Sequence, residues 1–194
     1  MKIIPPHAKT TTSEALLGML SLGPMTGYNI RRRIEFSIGN FWSESFGQIY
    51  PTLAKLHKQG FISAKPAQKA GAKVYALTPQ GRERLKHWLK EMPQPRKPRN
   101  ELLLKLFFAG KGSLAAARQQ VLERRAACLA DLSRYQAIER RLKEEQAENP
   151  GLPFFLITLH YGLAEARAIL SWADQTIATL DDVQSKSTRH KETK

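Results

Sequence analysis

The residues best suited to specific chemistry surround a short predicted helix that follows Ser45. Its apolar residues recur at i, i+4 and i+7 and so share one stripe; they are Ile49, Leu53 and Leu56. Gln48, Lys55 and Lys58 point to the other side of the same helix. A glutamine amide can pair with base edges, and lysine ammonium groups neutralise phosphates. This pattern predicts one face for a protein core and one face for a polyanion.

A basic hairpin is predicted directly after that helix, which ends at Gly60. Residues 61–65 and 73–78 are rich in strand formers, and the second run alternates in polarity. Pro66 and Gly71 mark the loop between them, and the basic residues of the hairpin are Lys65, Lys69 and Lys73. A basic loop taken alone is more often a solvated surface. Its position after a helix with a polar outer face favours a binding role.

The positive charge of the chain is concentrated in its first half. Of the formal net charge of +14, residues 1–100 hold 17 Lys+Arg against 5 Asp+Glu, which gives +12. Residues 101–194 hold 14 against 12, which gives +2. Excess charge confined to one region, with a sequence pI of about 10.1, is best explained by a polyanion that this region contacts.

Membrane, metal and redox functions are not indicated. There is no run of about 18 apolar residues and no signal-peptide core at the N-terminus, so we expect a cytoplasmic protein without a membrane partner. The single cysteine, Cys128, excludes an intrachain disulfide and falls at a core position of a predicted helix. The five histidines lack metal-ligand spacing, so we predict no metal and no cofactor.

Catalysis is not indicated either. The run Gly110-Lys111-Gly112-Ser113 lacks the earlier glycine and the preceding strand of a phosphate-binding loop. It is more typical of a connection between helices, with Ser113 as an N-cap. We therefore predict that the chain is not an enzyme.

The other elements of the first half complete a recognisable order. Thr12 or Ser13 is the predicted cap of a first helix that stops at Gly23-Pro24, and Thr26 caps a second helix that carries Arg31. Thr78 and Pro79 start a helix after the hairpin. Pro51 requires that the third helix either begins near Gly47 or bends. The order of three helices, two strands and a helix predicts a winged helix-turn-helix with a two-stranded wing.

Several motifs in this region together resemble PadR-type transcriptional regulators. They are Gly27-Tyr28-Asn29-Ile30, the run from Ser45 to Leu53 with its Ile49-Tyr50-Pro51 core, and Tyr75-Ala76-Leu77-Thr78 with Gly81. The resemblance is close over residues 14–89 and extends to the rest of the chain only in helical pattern and length. It implies a dimeric, prokaryotic, DNA-binding repressor or activator.

The second half of the chain is predicted to be an all-α antiparallel helical hairpin. Residues at seven-residue spacing define a first long helix: Leu114, Val121, Cys128, Tyr135 and Leu142. A second helix carries consecutive a and d positions, which include Leu156, Leu159, Leu163, Leu170, Ile177 and Leu180. Such a hairpin beside a short helix at 101–109 has a thin core, so we predict a homodimer through these leucines and isoleucine. An intramolecular three-helix bundle is the alternative.

These inferences give a domain plan for a mainly α protein. Residues 1–91 form a winged-helix DNA-binding domain, 92–99 a proline-rich linker, 100–180 a helical dimerisation domain and 181–194 a polar tail. We expect a homodimer, most simply a repressor, on a pseudo-palindromic operator of double-stranded DNA with half-sites about one helical turn apart. The alternative is a winged helix that contacts proteins and does not bind DNA specifically.

Individual roles follow from this plan. Gln48 is the best candidate for a base contact, and Tyr50 for a phosphate contact unless its ring only packs under the wing. The remaining predicted DNA contacts are Lys55, Lys58, Lys69, Lys73 and Arg31. The resemblance also suggests an aromatic effector; the candidate residues are Phe154, Phe155, Tyr161 and Trp172. Aromatic residues at helical spacing are more often core than ligand contacts, so packing is the competing interpretation.

Overall fold

The computed structural model describes residues 11–39, 41–42, 46–68, 71–93 and 99–192, with side chains given except for 46 and 187–192. The chain folds as two compact units, with the boundary between Pro95 and Arg96. The elements of the first unit are α1 (Thr12–Ser21), β1 (Met25–Thr26), α2 (Gly27–Ser37), α3 (Phe46–Lys58), β2 (Ile62–Pro66), β3 (Lys73–Leu77) and α4 (Pro79–Trp88). Those of the second are α5 (Glu101–Phe107), a 3₁₀ helix (Ala109–Lys111), α6 (Leu114–Glu145) and α7 (Leu152–Glu192).

The first unit packs its helices and a small antiparallel sheet around one core. The sheet has the order β1-β3-β2, with Ile62 opposite Leu77 and Met25 opposite Tyr75. The predicted two-stranded wing is confirmed as β2 and β3, and a third strand that was not predicted, β1, pairs with β3. A two-residue strand is too short to give a periodic pattern. The least exposed large side chains of this core are Leu16, Leu17, Ile30, Ile49, Leu53, Leu56 and Ile62.

The helix caps of this unit follow the sequence with one exception. The Thr26 hydroxyl accepts a hydrogen bond from the Asn29 N–H at 3.2 Å, as predicted for α2. For α1, Thr11 occupies the N-cap position without a side-chain bond, while Thr12 and Ser13 are buried in the first turn. The prediction of Thr12 or Ser13 as the cap is therefore wrong, because the helix already begins at Thr12.

The second unit is the predicted antiparallel hairpin of α6 and α7. Ser113 caps α6 by accepting from the Ala116 N–H at 3.2 Å, which confirms the prediction. Along α6, Val121 and Cys128 are 0% and 1% exposed, and burial raises the pKa of the Cys128 thiol. The hairpin core combines Tyr135, Leu159 and Leu163 with half-buried Leu132, Ile138, Leu142 and Leu156.

Two predicted helix ends differ from the structure. The helix from Glu101 ends at Phe107, before a separate 3₁₀ turn. The final helix continues to Glu192, so the prediction of an end near Leu180 is wrong. The residues after Leu180 are polar, but polarity alone does not end a helix, and no glycine or proline follows Gly162. Asp181 is also held by Arg118 of α6, whose Nε lies 2.6 Å from a carboxylate oxygen.

Even the long helices of the second unit do not match the requirements of a bilayer. Within the ranges given above, no helix has both the length and the apolar composition needed to cross a membrane.

Candidate nucleic-acid interface

The third helix separates a buried stripe from an exposed one. Ile49, Leu53 and Leu56 are at most 1% exposed and fix α3 in the core. Lys55 and Lys58 are exposed on its other side, and Gln48 is exposed at its start. The amphipathic prediction for this helix is confirmed. The exposed groups are therefore free to meet an anionic surface, while their roles in binding stay predictions.

The two ends of α3 are stabilised in different ways. At the C-terminal end, Gly60 adopts φ 76°, a conformation that favours glycine. The Phe61 N–H donates to the Leu56 carbonyl at 3.0 Å and the Gly60 N–H to the His57 carbonyl at 3.0 Å, the pair of bonds of a Schellman cap. The His57 Nδ1 lies 3.0 Å from the Ile62 carbonyl oxygen, which ties the helix to β2.

The start of α3 shows where Pro51 lies in the helix. α3 begins at Phe46, so the proline lies inside the helix and beyond its first turn. A proline nitrogen cannot donate to the carbonyl four residues earlier, which belongs to Gly47. Gly47 is exposed, so water can satisfy that carbonyl. The predicted cap Ser45 lies outside the described residues.

Tyr50 lies against the start of the second helix. A Cβ atom added to Gly27 would lie 2.7 Å from Cε1 of the Tyr50 ring, so a larger residue there would displace the ring. Tyr50 remains 58% exposed. The ring lies next to the start of α2, and whether it also packs under the wing stays an open interpretation. Its predicted phosphate contact stays a prediction.

The wing presents lysines along its two strands. Lys65 and Lys73 are exposed, and the register places Lys65 opposite Val74 and Pro66 opposite Lys73. Beyond these pairs, the Ala67 N–H donates a hydrogen bond to the Ala72 carbonyl oxygen at 2.9 Å. Lys69, the third predicted wing contact, lies outside the described residues. The described part of the wing therefore carries two of the three predicted cations.

Arg31 of α2 is exposed but is already engaged by a neighbour. Its Nε lies 3.4 Å from a carboxylate oxygen of Glu35, one turn along the helix. The next arginine, Arg32, has its guanidinium carbon 5.6 Å from the centroid of the Phe36 ring. These contacts are at the surface, where ion pairs are weak. Arg31 would have to exchange a weak local partner for a phosphate.

Two positioning contacts of this unit were not predicted from the sequence. The Thr78 hydroxyl donates toward the Gly60 carbonyl at 2.8 Å and the Phe61 carbonyl at 2.9 Å, and it accepts from the Gly81 N–H at 3.1 Å. It thus joins the end of α3, the start of β2 and the cap of α4. Only its capping role has a local sequence signal.

The second contact is an ion pair between the first and last helices of the unit. A terminal nitrogen of Arg84 donates to the Glu14 carboxylate at 2.7 Å, with Glu14 8% and Arg84 32% exposed at the side chain. The same guanidinium carbon lies 4.6 Å from the centroid of the Phe61 ring. Glu14 and Arg84 are separated by 70 residues, so no periodicity could pair them.

The predicted dimer residues divide into two groups. Leu159 and Leu163 are 7% and 3% exposed and pack against α6 of the same chain, so they are not available to a second chain. Their assignment to a dimer surface is corrected, because heptad positions do not distinguish the partner helix of the hairpin from another subunit. The other four are half-buried, and their dimer role stays a prediction: Leu156, Leu170, Ile177 and Leu180.

The predicted effector residues do not form one pocket within a chain. Phe154 and Tyr161 are 69% and 62% exposed, while Phe155 and Trp172 are half-buried. Phe154 and Trp172 are 18 residues apart on one helix, which is about 27 Å at 1.5 Å per residue. A ligand of phenolic size cannot span that distance. Any site built from all four must combine more than one chain.

Comparison with known proteins decides the family. The model of the PadR-like family of transcriptional regulators matches residues 16–87, and the model of the virulence activator alpha C-terminal region matches residues 98–181. A negative transcriptional regulator, PadR of Bacillus subtilis, is 31% identical over 175 residues, which cover 86% of this chain and 96% of that relative. The chain belongs to the PadR-like family.

Several solved structures share the fold over nearly the whole chain. Bacillus subtilis PadR in complex with operator DNA has a TM-score of 0.79 and 28% identity, with 90% of this chain and 99% of that chain covered. The same protein in complex with p-coumaric acid has a TM-score of 0.70 and 30% identity, with 88% and 99% covered. The Vibrio cholerae virulence activator AphA has a TM-score of 0.73 and 28% identity, with 89% and 99% covered.

Proposed function

We propose that this PadR-like regulator represses transcription as a homodimer that reads a pseudo-palindromic operator with the exposed face of α3. Sequence-specific DNA binding as a transcriptional regulator rests on the family and on the likeness to PadR in its operator complex. The repressor sign is proposed from the relative named as a negative regulator. A winged helix that contacts only proteins is not favoured.

The observation that carries the proposal is the exposed polar flank of α3. Gln48 and Lys55 are exposed there, seven residues and about two turns apart. A glutamine can bond adenine N6 and N7 together, and a lysine at that distance can reach the phosphates of the same groove. Lys65 and Lys73 on the wing extend the cationic surface of this unit. We assign base reading to Gln48 and phosphate contacts to the lysines, to Tyr50 and to Arg31.

The dimer is proposed through the second apolar face of α7. Phe154, Ile157 and Tyr161 are 69%, 64% and 62% exposed at i, i+3 and i+7. At about 100° per residue they lie opposite the stripe that packs on α6. A helix with apolar residues on two sides is usually buried on both. A second copy of the chain would cover this face and place two copies of α3 on one duplex.

An aromatic carboxylic acid is the proposed effector class, by likeness to PadR in complex with p-coumaric acid. The rings of Phe154 and Tyr161 lie on the face proposed for the dimer, where they offer stacking surfaces for a planar ligand held between the two chains. Titration of the intrinsic tryptophan fluorescence with p-coumaric acid tests this part. A saturable change that weakens operator binding supports an effector; a flat titration with unchanged operator affinity contradicts it.

The DNA-reading proposal is tested by two matched variants of α3. Gln48→Ala should lower operator affinity by about 1–3 kcal/mol and leave binding to random duplex unchanged, because it removes base readout. Lys58→Ala should weaken binding to both duplexes alike, because it removes a phosphate contact. The slope of log binding constant against log salt concentration should become shallower by about one. Fluorescence anisotropy at several salt concentrations measures both. Equal losses for Gln48→Ala on operator and random duplex contradict the base-reading role.

A further inference from the structure

One side chain joins the chain segments that meet where α3 ends and the wing begins. The Thr78 hydroxyl lies 2.8 Å from the Gly60 carbonyl oxygen and 2.9 Å from the Phe61 carbonyl oxygen. It has one proton, which the two carbonyls share. The Thr78 N–H also donates to the Phe61 carbonyl at 3.1 Å, and the hydroxyl accepts from the Gly81 N–H at 3.1 Å. Thr78 therefore fastens the residues that follow α3 to the residue that follows β3.

The fourth helix closes this junction from the other side. A Cβ atom added to Gly81 would overlap the Phe61 carbonyl oxygen, so α4 begins in direct contact with that peptide. About one turn further along α4, the guanidinium carbon of Arg84 lies 4.6 Å from the centroid of the Phe61 ring. The same guanidinium donates to the buried Glu14 carboxylate of α1 at 2.7 Å. The peptide and the ring of the residue just before β2 are thus both held in place.

The wing extends from this junction as a lever. Lys65 follows Ile62 by three residues, about 10 Å along a strand, and Lys73 precedes Thr78 by five residues, about 17 Å. Both lysines are exposed. A rotation of about 10° at the junction would therefore move the Lys73 backbone by about 3 Å. This displacement is as large as a lysine–phosphate hydrogen bond of about 2.7–2.9 Å, so a contact made by the undistorted wing would be broken or strained.

We propose that Thr78 and Arg84 are positioning residues for DNA binding, which set the angle between α3 and the wing so that the lysines of both reach one duplex. The inference rests on the proposed function, since it requires α3 and the wing to bind the same DNA. Thr78 acts through the backbone of residues 60–61, and Arg84 acts through the Phe61 ring. Neither side chain has to touch the DNA.

The test measures how much the wing lysines contribute to binding with and without the junction. The probe is a duplex selected from a random pool with the unmodified full chain, and fluorescence anisotropy gives Kd at several salt concentrations. In the unmodified protein, joint replacement of Lys65 and Lys73 by alanine should raise Kd about tenfold, because two phosphate contacts are lost. The slope of log binding constant against log salt concentration should become shallower by about two. In Thr78→Val, which keeps the shape of the side chain without its hydroxyl, the same replacement should raise Kd less than about threefold.

Three further variants separate positioning from stability, with circular dichroism to establish that each is folded under the binding conditions. Thr78→Ser retains the hydroxyl and should restore the tenfold effect of the wing lysines. Ser113→Ala removes the N-cap of α6, a comparable loss of a helix cap in the second unit, and should keep the tenfold effect. Arg84→Lys keeps a charge beside Glu14, so we expect it to fold. It removes the planar guanidinium from the Phe61 ring and should also bring the lysine effect below about threefold.

A purely structural role predicts a different result. Folded molecules of Thr78→Val would then keep their wing contacts, and only the folded fraction would fall. A lysine effect that stays near tenfold in Thr78→Val or in Arg84→Lys overturns the inference and leaves the proposed function standing. A lysine effect below threefold in the unmodified protein also overturns the inference, because the wing then makes no contact that could be positioned. Failure to enrich any duplex overturns both.

Discussion

The two units of the chain differ in how their apolar side chains are arranged. In the first unit each helix presents an apolar face to one shared core, and α3 leaves mainly polar and small residues outside. In the second unit α6 and α7 bury one stripe between them. Phe154, Ile157 and Tyr161 of α7 remain more than 60% exposed, and Phe107 at the end of α5 is 82% exposed.

This difference indicates what each unit requires. The first unit also exposes apolar side chains, such as Phe36 at 69% and Leu89 at 68%, but these lie on α2 and just after α4. The outer face of α3, with Gln48, Lys55 and Lys58, is therefore available for a polyanion. The second unit has more apolar surface than a two-helix core can cover, which is typical of an assembly surface. DNA recognition and dimerisation are thus expected to respond to different substitutions.

The largest expected effect is in the core of the first unit. Leu53 is 0% exposed, and Leu53→Ala should lower the free energy of unfolding by about 2–5 kcal/mol because it leaves a cavity under α3. Urea denaturation followed by circular dichroism measures the change. Ala54→Gly, the neighbouring exposed position, should cost about 1 kcal/mol at most. Equal losses for both would show that α3 is not anchored through this stripe.

The next effect concerns the second apolar face of α7. Ile157→Lys should raise the dimer dissociation constant about a hundredfold, about 2.7 kcal/mol, because it places a charge on the proposed interface. Sedimentation velocity over a concentration series measures the shift, and operator affinity should fall with it. Ala178→Lys, an exposed site of α7 away from this face, is the control. Unchanged sedimentation for Ile157→Lys would exclude this face from the dimer.

A smaller effect is expected from the ion pair of Glu14 and Arg84. Glu14→Gln should cost about 1–2 kcal/mol of unfolding free energy, because it removes the charge that partners a guanidinium of which 32% of the side chain is exposed. Thermal unfolding measures it. Glu83→Gln, on the exposed pair with Lys86, should cost little. If the two variants lose the same free energy of unfolding, the pair of Glu14 and Arg84 contributes no more to stability than a surface pair.

The smallest effect is a pH dependence in the second unit. Hydrogen bonds from Lys143 and then from His160 hold the pKa of Glu139 below 4.5. The folded state favours the ionised carboxylate, so Glu139 contributes to the free energy of unfolding above pH 4.5. This contribution to stability is lost as the pH falls through the lowered pKa. NMR titration of Glu139 measures the pKa, and Lys143→Met should raise it. A titration unaffected by Lys143→Met would contradict the first of these causes.

Much of the first unit could be predicted from local patterns. The period of Ile49, Leu53 and Leu56, the cap residues Thr26 and Thr78 and the glycine at position 60 all act over a few residues, so the sequence indicates them directly. The contacts that hold the unit together are not local. Glu14 and Arg84, and likewise Gly27 and Tyr50, are distant in sequence and become neighbours only in the folded chain.

The second unit was harder to predict for a different reason. Leu159 and Leu163 satisfy a heptad pattern whether their partner is α6 or a second chain, because the pattern states only that a face is apolar. The exposed positions 154, 157 and 161 form a second periodic face that the heptad assignment passes over. Helical periodicity thus predicted the hairpin but not which residues remain outside it.

The most direct test of the central claim is methylation interference on a selected duplex, combined with the number of chains bound per duplex. If two copies of α3 read the operator, guanine N7 methylation should interfere at two major-groove segments about one helical turn, about 34 Å, apart, with two chains bound. A single segment, or one chain per duplex, would contradict reading by a dimer of this protein.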